Sequence, residues 1–139
     1  FGTPRGRKHY PVISIADTSA NMQQAWFYNS IITGTMENEI EFTTTKGANS
    51  LPCLFQYCLI RDRYTEAESA YYKDIAYFDK NKSLFTADDS FKLDTLSQAA
   101  NIGNINYGAL HPTDILSHSR IADKKPDMGA IEYFYEKEK

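Results

Sequence analysis

The chain has 139 residues, 42% of them hydrophobic, and a formal net charge of −3. That fits one domain with a buried core and excludes a solvated, disordered polymer. The mild acidity gives no electrostatic footprint for nucleic acid, and every apolar run falls short of the ~20 residues that cross a bilayer as a helix. The basic opening, Arg5, Arg7 and Lys8 among Gly2, Pro4 and Gly6, reads as a frayed surface terminus. No leader peptide is visible and the first residue is Phe1. The expectation is therefore a processed or partial product of a longer protein whose export signal or anchor lies upstream.

Strand signals dominate the chain. Runs rich in β-branched and aromatic residues predict strands over 10–15, 25–32, 39–43, 54–60, 75–78 and 91–93, with turn-forming residues between them. Helix formers gather only over 64–72, with 22–25 as a second short candidate. The two cysteines, Cys53 and Cys58, accompany the fourth run. Along extended chain they stand roughly 16 Å apart at ~3.3 Å per residue, whereas a disulfide needs Cα atoms within about 7 Å. Two buried free thiols are expected.

An internal repeat points to the fold. Phe27-Tyr28-Asn29-Ser30-Ile31-Ile32 aligns with Phe55-Gln56-Tyr57-Cys58-Leu59-Ile60 further along the chain. The interval from Phe27 to Phe55 falls in the range of roughly 20–50 residues that marks units burying their apolar faces against their neighbours. This length suits a parallel β-helix with three short strands per coil. Ser30 would stack on Cys58, Ile31 on Leu59 and Ile32 on Ile60. The segment 39–42 would form another wall, with Gly34 at the intervening turn. The competing reading is two unrelated strands of an antiparallel sandwich.

After Phe78 the periodicity is lost, and a loop-rich segment is expected to lie across an open end of the stack, whose strand edges need cover. The expected division is residues 1–85 as coils and 86–139 as a C-terminal capping segment of the same domain. Three parts of the chain carry a family resemblance: Phe27 to Gly34, Leu96-Ser97-Gln98-Ala99-Ala100-Asn101-Ile102-Gly103, and Asp114 to Arg120 followed by Pro126-Asp127-Met128-Gly129-Ala130-Ile131-Glu132-Tyr133. Together they resemble secreted right-handed parallel β-helix proteins of the pectate-lyase-like kind found in Bacteroidota, whose last coil closes on a Pro-Asp-Ile-Gly-Ala-Tyr-Glu-Tyr-like segment. Asp79 to Phe85 is similar to that family's exit from its last full coil, with Ser83 in place of a proline. The fold class so implied is all-β: a right-handed parallel β-helix of about three coils with an irregular cap. In that cap Arg120 is placed to meet Asp127 or Glu132 with bidentate hydrogen bonds. Gly129 is placed for a conformation or close approach that other residues resist. Met128, Ile131, Gln98 and Asn101 depart from the family pattern.

Chemical motifs are sparse. His9, His111 and His118 pair with no nucleophile motif, and Ser117-His118-Ser119 lacks the Gly-x-Ser-x-Gly elbow. Asp79-x-Asn81-x-Ser83 has the first ligand spacings of a calcium loop. It fails at Leu84, where glycine is needed, and at Ser90, where a bidentate glutamate is needed. The cysteines have no histidines near them for zinc. Glu37, Glu39 and Glu41 share one face of a strand, and a solvated acidic face explains that pattern without a catalytic carboxylate pair. No catalytic residue, metal or cofactor is assigned.

With aromatics at 14% of the chain, the candidate glycan-binding residues are Trp26, Tyr64, Tyr71 and Tyr72, each expected at a coil edge or in a loop. Half-buried stacking in the solenoid walls is the reading favoured over glycan binding for these residues. The resemblance implies an exported protein at the bacterial cell surface or outer membrane, lipid-anchored through a segment not in this chain. Its expected role is a non-enzymatic interaction module, an accessory lipoprotein of a glycan-binding or uptake complex. Its expected partners are other outer-membrane proteins, upstream coils of the same protein, or a polysaccharide. Two rival readings are a fragment of a polysaccharide lyase or glycoside hydrolase with catalytic coils upstream, and a structural cap docked on a partner protein.

Overall fold

The computed structural model describes residues 10–17, 22–47, 50–62, 70–87 and 90–133. They form eight short strands and one helix: β1 (Ile13–Asp17), β2 (Ala25–Tyr28), β3 (Ile31–Ile32), β4 (Ile40–Thr44), β5 (Cys53–Gln56), β6 (Leu59–Ile60), β7 (Tyr72–Lys73), β8 (Ala76–Tyr77) and α1 (Ile105–Leu110). The strands assemble into three small sheets, β1-β4, β2-β5-β7 and β3-β6-β8, and every strand pair is parallel. The described residues are thus mostly β, with little helix.

The register follows the sequence repeat. Phe27 lies opposite Phe55, Ile31 opposite Leu59 and Ile32 opposite Ile60, the same interval in each case. Ile13 lies opposite Ile40, an interval shorter by a single position. The next step is shorter still, with Phe55 opposite Tyr72 and Leu59 opposite Ala76. Parallel pairing excludes the antiparallel sandwich for these segments.

The predicted runs 25–32 and 54–60 are each broken once. Asn29, Tyr57 and Asp74 have φ of 45°, 51° and 52°, so one left-handed residue turns each row from the second sheet into the third. Asparagine and aspartate tolerate that conformation, whereas a tyrosine adopts it at a cost. The Gln56 Nε2 amide donates to Asp74 Oδ2 at 3.0 Å and ties adjacent corners together.

Other local expectations change as well. The 64–72 helix has most of its length outside the described residues, and Tyr72 opens β7 instead. The 22–25 segment is not helical, and Ala25 begins β2. In place of a 91–93 strand, Leu93 makes a single antiparallel bridge to Phe85. Helix α1 has only six residues, too few for an amphipathic period. Its start rests on Asn104, whose side-chain oxygen accepts the Asn106 N–H at 2.9 Å.

Two apolar clusters lie on opposite faces of β3-β6-β8. Ile32 and Ile60 point inward to a core with Ile15, Ile40, Phe55, Cys58 and Tyr71. Ile31, Leu59 and Ala76, the alternate positions, point outward and meet Leu84, Leu93, Ala99 and Met128. The C-terminal segment therefore packs laterally on the outward face of this sheet, where the sequence predicted a cover laid across an open end. Both cysteines are buried free thiols, and burial pushes each up to about 11.

Glu39 corrects the picture of a solvated acidic face. Its side chain is fully buried while Glu37 and Glu41 are exposed. Its carboxylate accepts the backbone N–H groups of Val12 at 3.2 Å and Met36 at 2.6 Å. A Cβ on Gly34 would stand 2.5 Å from Glu39 Oε1, so the predicted turn glycine makes room for a carboxylate.

Candidate binding groove

A groove of about 710 Å³ lies between residues 26–31 and the segment carrying α1, His111, Thr113-Asp114-Ile115, Arg120 and Gly129-Ala130. Strand alternation sends Trp26 and Tyr28 outward from β2, while Phe27 turns inward and stacks on Phe55 with centroids 4.4 Å apart and planes 4° apart. Tyr28 in turn stacks on Tyr107 of α1 at 3.8 Å and 12°. The Tyr107 hydroxyl donates to Gln56 Oε1 at 3.1 Å. Burial, together with the neighbouring Tyr107 hydroxyl, raises the Tyr28 phenol above its ordinary value.

The Asn29 corner anchors the groove wall. Its amide donates to Asn104 O at 3.0 Å and accepts from Asn104 N at 2.8 Å, a reciprocal pair that joins the corner to the start of α1. The Gly129 N–H donates to Asn29 O at 2.8 Å. Gly129 has φ +102°, and a Cβ there would lie 2.8 Å from Ile31 Cδ1. Both reasons expected for a glycine at this position are present together.

Three buried carboxylates, of which Asp114 lines the groove, hold the C-terminal segment. Asp114 accepts the N–H groups of Leu116 and His118 at 2.8 Å and that of Glu132 at 2.9 Å, and meets His118 Nδ1 at 3.2 Å. Asp127 accepts the N–H groups of Asn101 and Tyr133. Glu132 accepts the Asp127 N–H at 3.0 Å and an Arg120 Nη1 hydrogen bond at 2.7 Å. Arg120 thus meets Glu132, one of its two predicted partners, through one nitrogen and one oxygen.

Burial alone would raise the Asp114 carboxyl, but the donated N–H groups hold it below the ordinary range. Burial raises Asp127 despite the N–H groups of Tyr133 and Asn101. Burial also pushes Glu132 to about 7, outweighing its hydrogen bonds and the attraction of Arg120, with repulsion from Asp127 adding to the rise.

Of the predicted aromatic residues that are described, Trp26 lies in the groove, 55% exposed. Tyr71 is buried 4.6 Å from Phe42. Tyr72 packs its ring against Phe42 and Phe55 and donates its hydroxyl to Asp62 at 2.9 Å. Tyr72, half-buried in β7, is turned toward the core by its register with Phe55, and Tyr71 is buried in the turn just before that strand. Tyr64 lies outside the described residues. Tyr28, Tyr107, Asn29 and Asn104 were not singled out from the sequence. Asn29 alone carried a local sign, since asparagine is favoured at a left-handed corner; the other three depend on contacts across the fold.

The groove holds no arranged nucleophile and base: Asp114 is engaged by main-chain donors, and His118 meets it through one ring nitrogen. In the former calcium-loop motif, Asp79 Oδ1 accepts from the Asn81 backbone N–H and side-chain amide, which makes it a turn. Among the described residues, no group of three or more His, Cys, Asp or Glu is placed to hold a metal ion. No helix among them is long and apolar enough to cross a membrane. No protein-family model, no curated protein and no solved structure matches the chain.

Proposed function

We propose that this chain is the C-terminal part of a right-handed parallel β-helix that works as a non-enzymatic interaction module at a bacterial cell surface or outer membrane. The near-constant repeat interval carried through the first two strand rows and the family-like closing segment support the architecture. In this reading it is an accessory, lipid-anchored component of a glycan-binding or uptake complex, and its recognition surface is the groove. The carrying observation is Trp26: a large aromatic side chain held half in solvent at the rim of a groove of about 710 Å³. A sugar ring stacks its apolar face on such a side chain, while Asn29, Ser30, Thr113 and His111 line the same groove with polar groups.

Calorimetric titration with a panel of polysaccharides tests this. The expected result is saturable binding that Trp26→Ala weakens roughly tenfold, with little difference between low and high salt. Absence of binding across the panel, or binding that Trp26→Ala leaves unchanged, overturns the glycan reading. Cleavage of any panel member would favour the lyase or hydrolase reading instead.

A further inference from the structure

Strands β1, β2 and β3 each pair with one strand only among the described residues, and all three on the same side. The direction of their remaining groups follows from the ladder. Ile13 N–H donates to Glu39 O at 3.0 Å and Ala25 N–H to Pro52 O at 2.9 Å. Ser30 O and Ile32 O accept from Leu59 and Arg61, both at 2.9 Å. Successive residues of a strand direct their main-chain groups to opposite sides. The N–H groups of Ser14, Ala16, Trp26, Tyr28 and Ile31 therefore point away from β4, β5 and β6, along one common edge.

The core ends at the same edge. Phe55 is 0% exposed, whereas Phe27, stacked on it and equally inward, is only half-buried. Among the described residues Phe27 meets one ring, that of Phe55, whereas Phe55 also meets Phe42 and Tyr72. The groove agrees: its strand residues run from Trp26 to Ile31, with none from the row beneath.

We propose that this edge is a docking surface for one further turn of polypeptide of the same kind. Its three short strands would run parallel to β1, β2 and β3, with a flat aromatic or branched apolar side chain placed over Phe27. A single extended peptide would complete one sheet and leave two edges open. A turn as long as the interval from Ile13 to Ile40, or from Phe27 to Phe55, matches the offset already present in all three sheets, so it continues an existing interface. An uncovered edge of this sort is a template for pairing. The inference rests on reading the chain as an interaction module and names the partner for one of its surfaces.

Amide hydrogen exchange by NMR tests it, independently of any saccharide. In the chain as it stands, the amides of Ser14, Ala16, Trp26, Tyr28 and Ile31 should exchange rapidly while those of Ile13, Ala25 and Phe27 are protected. A variant with a second copy of residues 13–39 inserted directly before Ile13 supplies the further turn in register. It should slow the five edge amides about tenfold or more, a change of ~1.4 kcal/mol in opening free energy, and remain monomeric. An insert of the same composition in shuffled order should not. The proposal is overturned if the five amides are already slow in the parent, or if the extended chain folds without slowing them. It is also overturned if they slow only as the parent self-associates with concentration, which would make a second copy the occupant. Should the extended chain fail to fold, Ala16→Pro decides in the parent. Proline is tolerated where an edge N–H faces solvent, so the melting temperature should hardly change, and unfolding would show that the N–H is already in use. Failure of these arms leaves the Trp26 titration standing, and failure of the titration leaves these arms standing.

Discussion

The strand rows and the C-terminal segment share the sheet β3-β6-β8, one against each face, and they are held by different forces. On the inward face, apolar residues recur in register, so Ile32 and Ile60 or Phe27 and Phe55 stack like upon like. On the outward face no register exists. Met128, Ala99 and Leu84 pack where they land, and the chain is fixed by Asp114, Asp127 and Glu132, whose carboxylates accept main-chain N–H groups. Buried main-chain donors need partners in either region. Where a ladder supplies them, side chains are free to form a core; where the ladder ends, carboxylates take its place.

The largest effect should come from the ladder side. Phe55→Ala removes a fully buried ring that touches Phe27, Phe42 and Tyr72. It should cost about 3–5 kcal/mol in urea unfolding. A loss under about 1 kcal/mol would show that the stacked core is not the main source of stability.

Gly129→Val attacks the junction between the two regions. The positive φ and the 2.8 Å approach to Ile31 Cδ1 should together cost about 2–3 kcal/mol. Chemical-shift changes at Asn29, Ile31 and Asn104 would place the damage at the corner. Unaltered stability would mean that the segment does not dock there.

Smaller effects belong to the carboxylate side, and they depend on pH. Arg120→Ala removes a donor from the buried Glu132 carboxylate and should cost about 1–3 kcal/mol near neutral pH. Glu132 itself titrates near 7 in the folded chain against an ordinary 4.5. Between those values the folded state binds a proton that the unfolded state does not, so this contribution to stability is full below about 4.5 and is lost as pH rises through about 7. Asp127, also raised by burial, acts in the same direction. Asp114, held low, contributes stability above its unfolded value that is lost as pH falls through its folded one. Urea midpoints of Glu132→Gln should therefore be flatter than those of the parent between about pH 4.5 and 7. Identical slopes would assign the titration to another group.

By itself the sequence determined the mostly β character, the alignment of Phe27–Ile32 with Phe55–Ile60, the buried free thiols and the need for glycine at position 129. All four follow from short-range causes: β propensity, recurrence of like side chains, distance along extended chain and the steric demands of one φ angle. Only the tertiary structure decided where the C-terminal segment lies, because the outward face formed by Ile31, Leu59 and Ala76 exists only once three rows are stacked. The same holds for Glu39, whose burial depends on Val12, from the preceding row, closing over it. It holds too for the aromatic candidates. Nothing local distinguishes Trp26 of β2 from Tyr72 of β7; the direction each ring takes depends on the phase of its strand, and Tyr72 shares the phase of Phe27 and Phe55 while Trp26 is one position out of it.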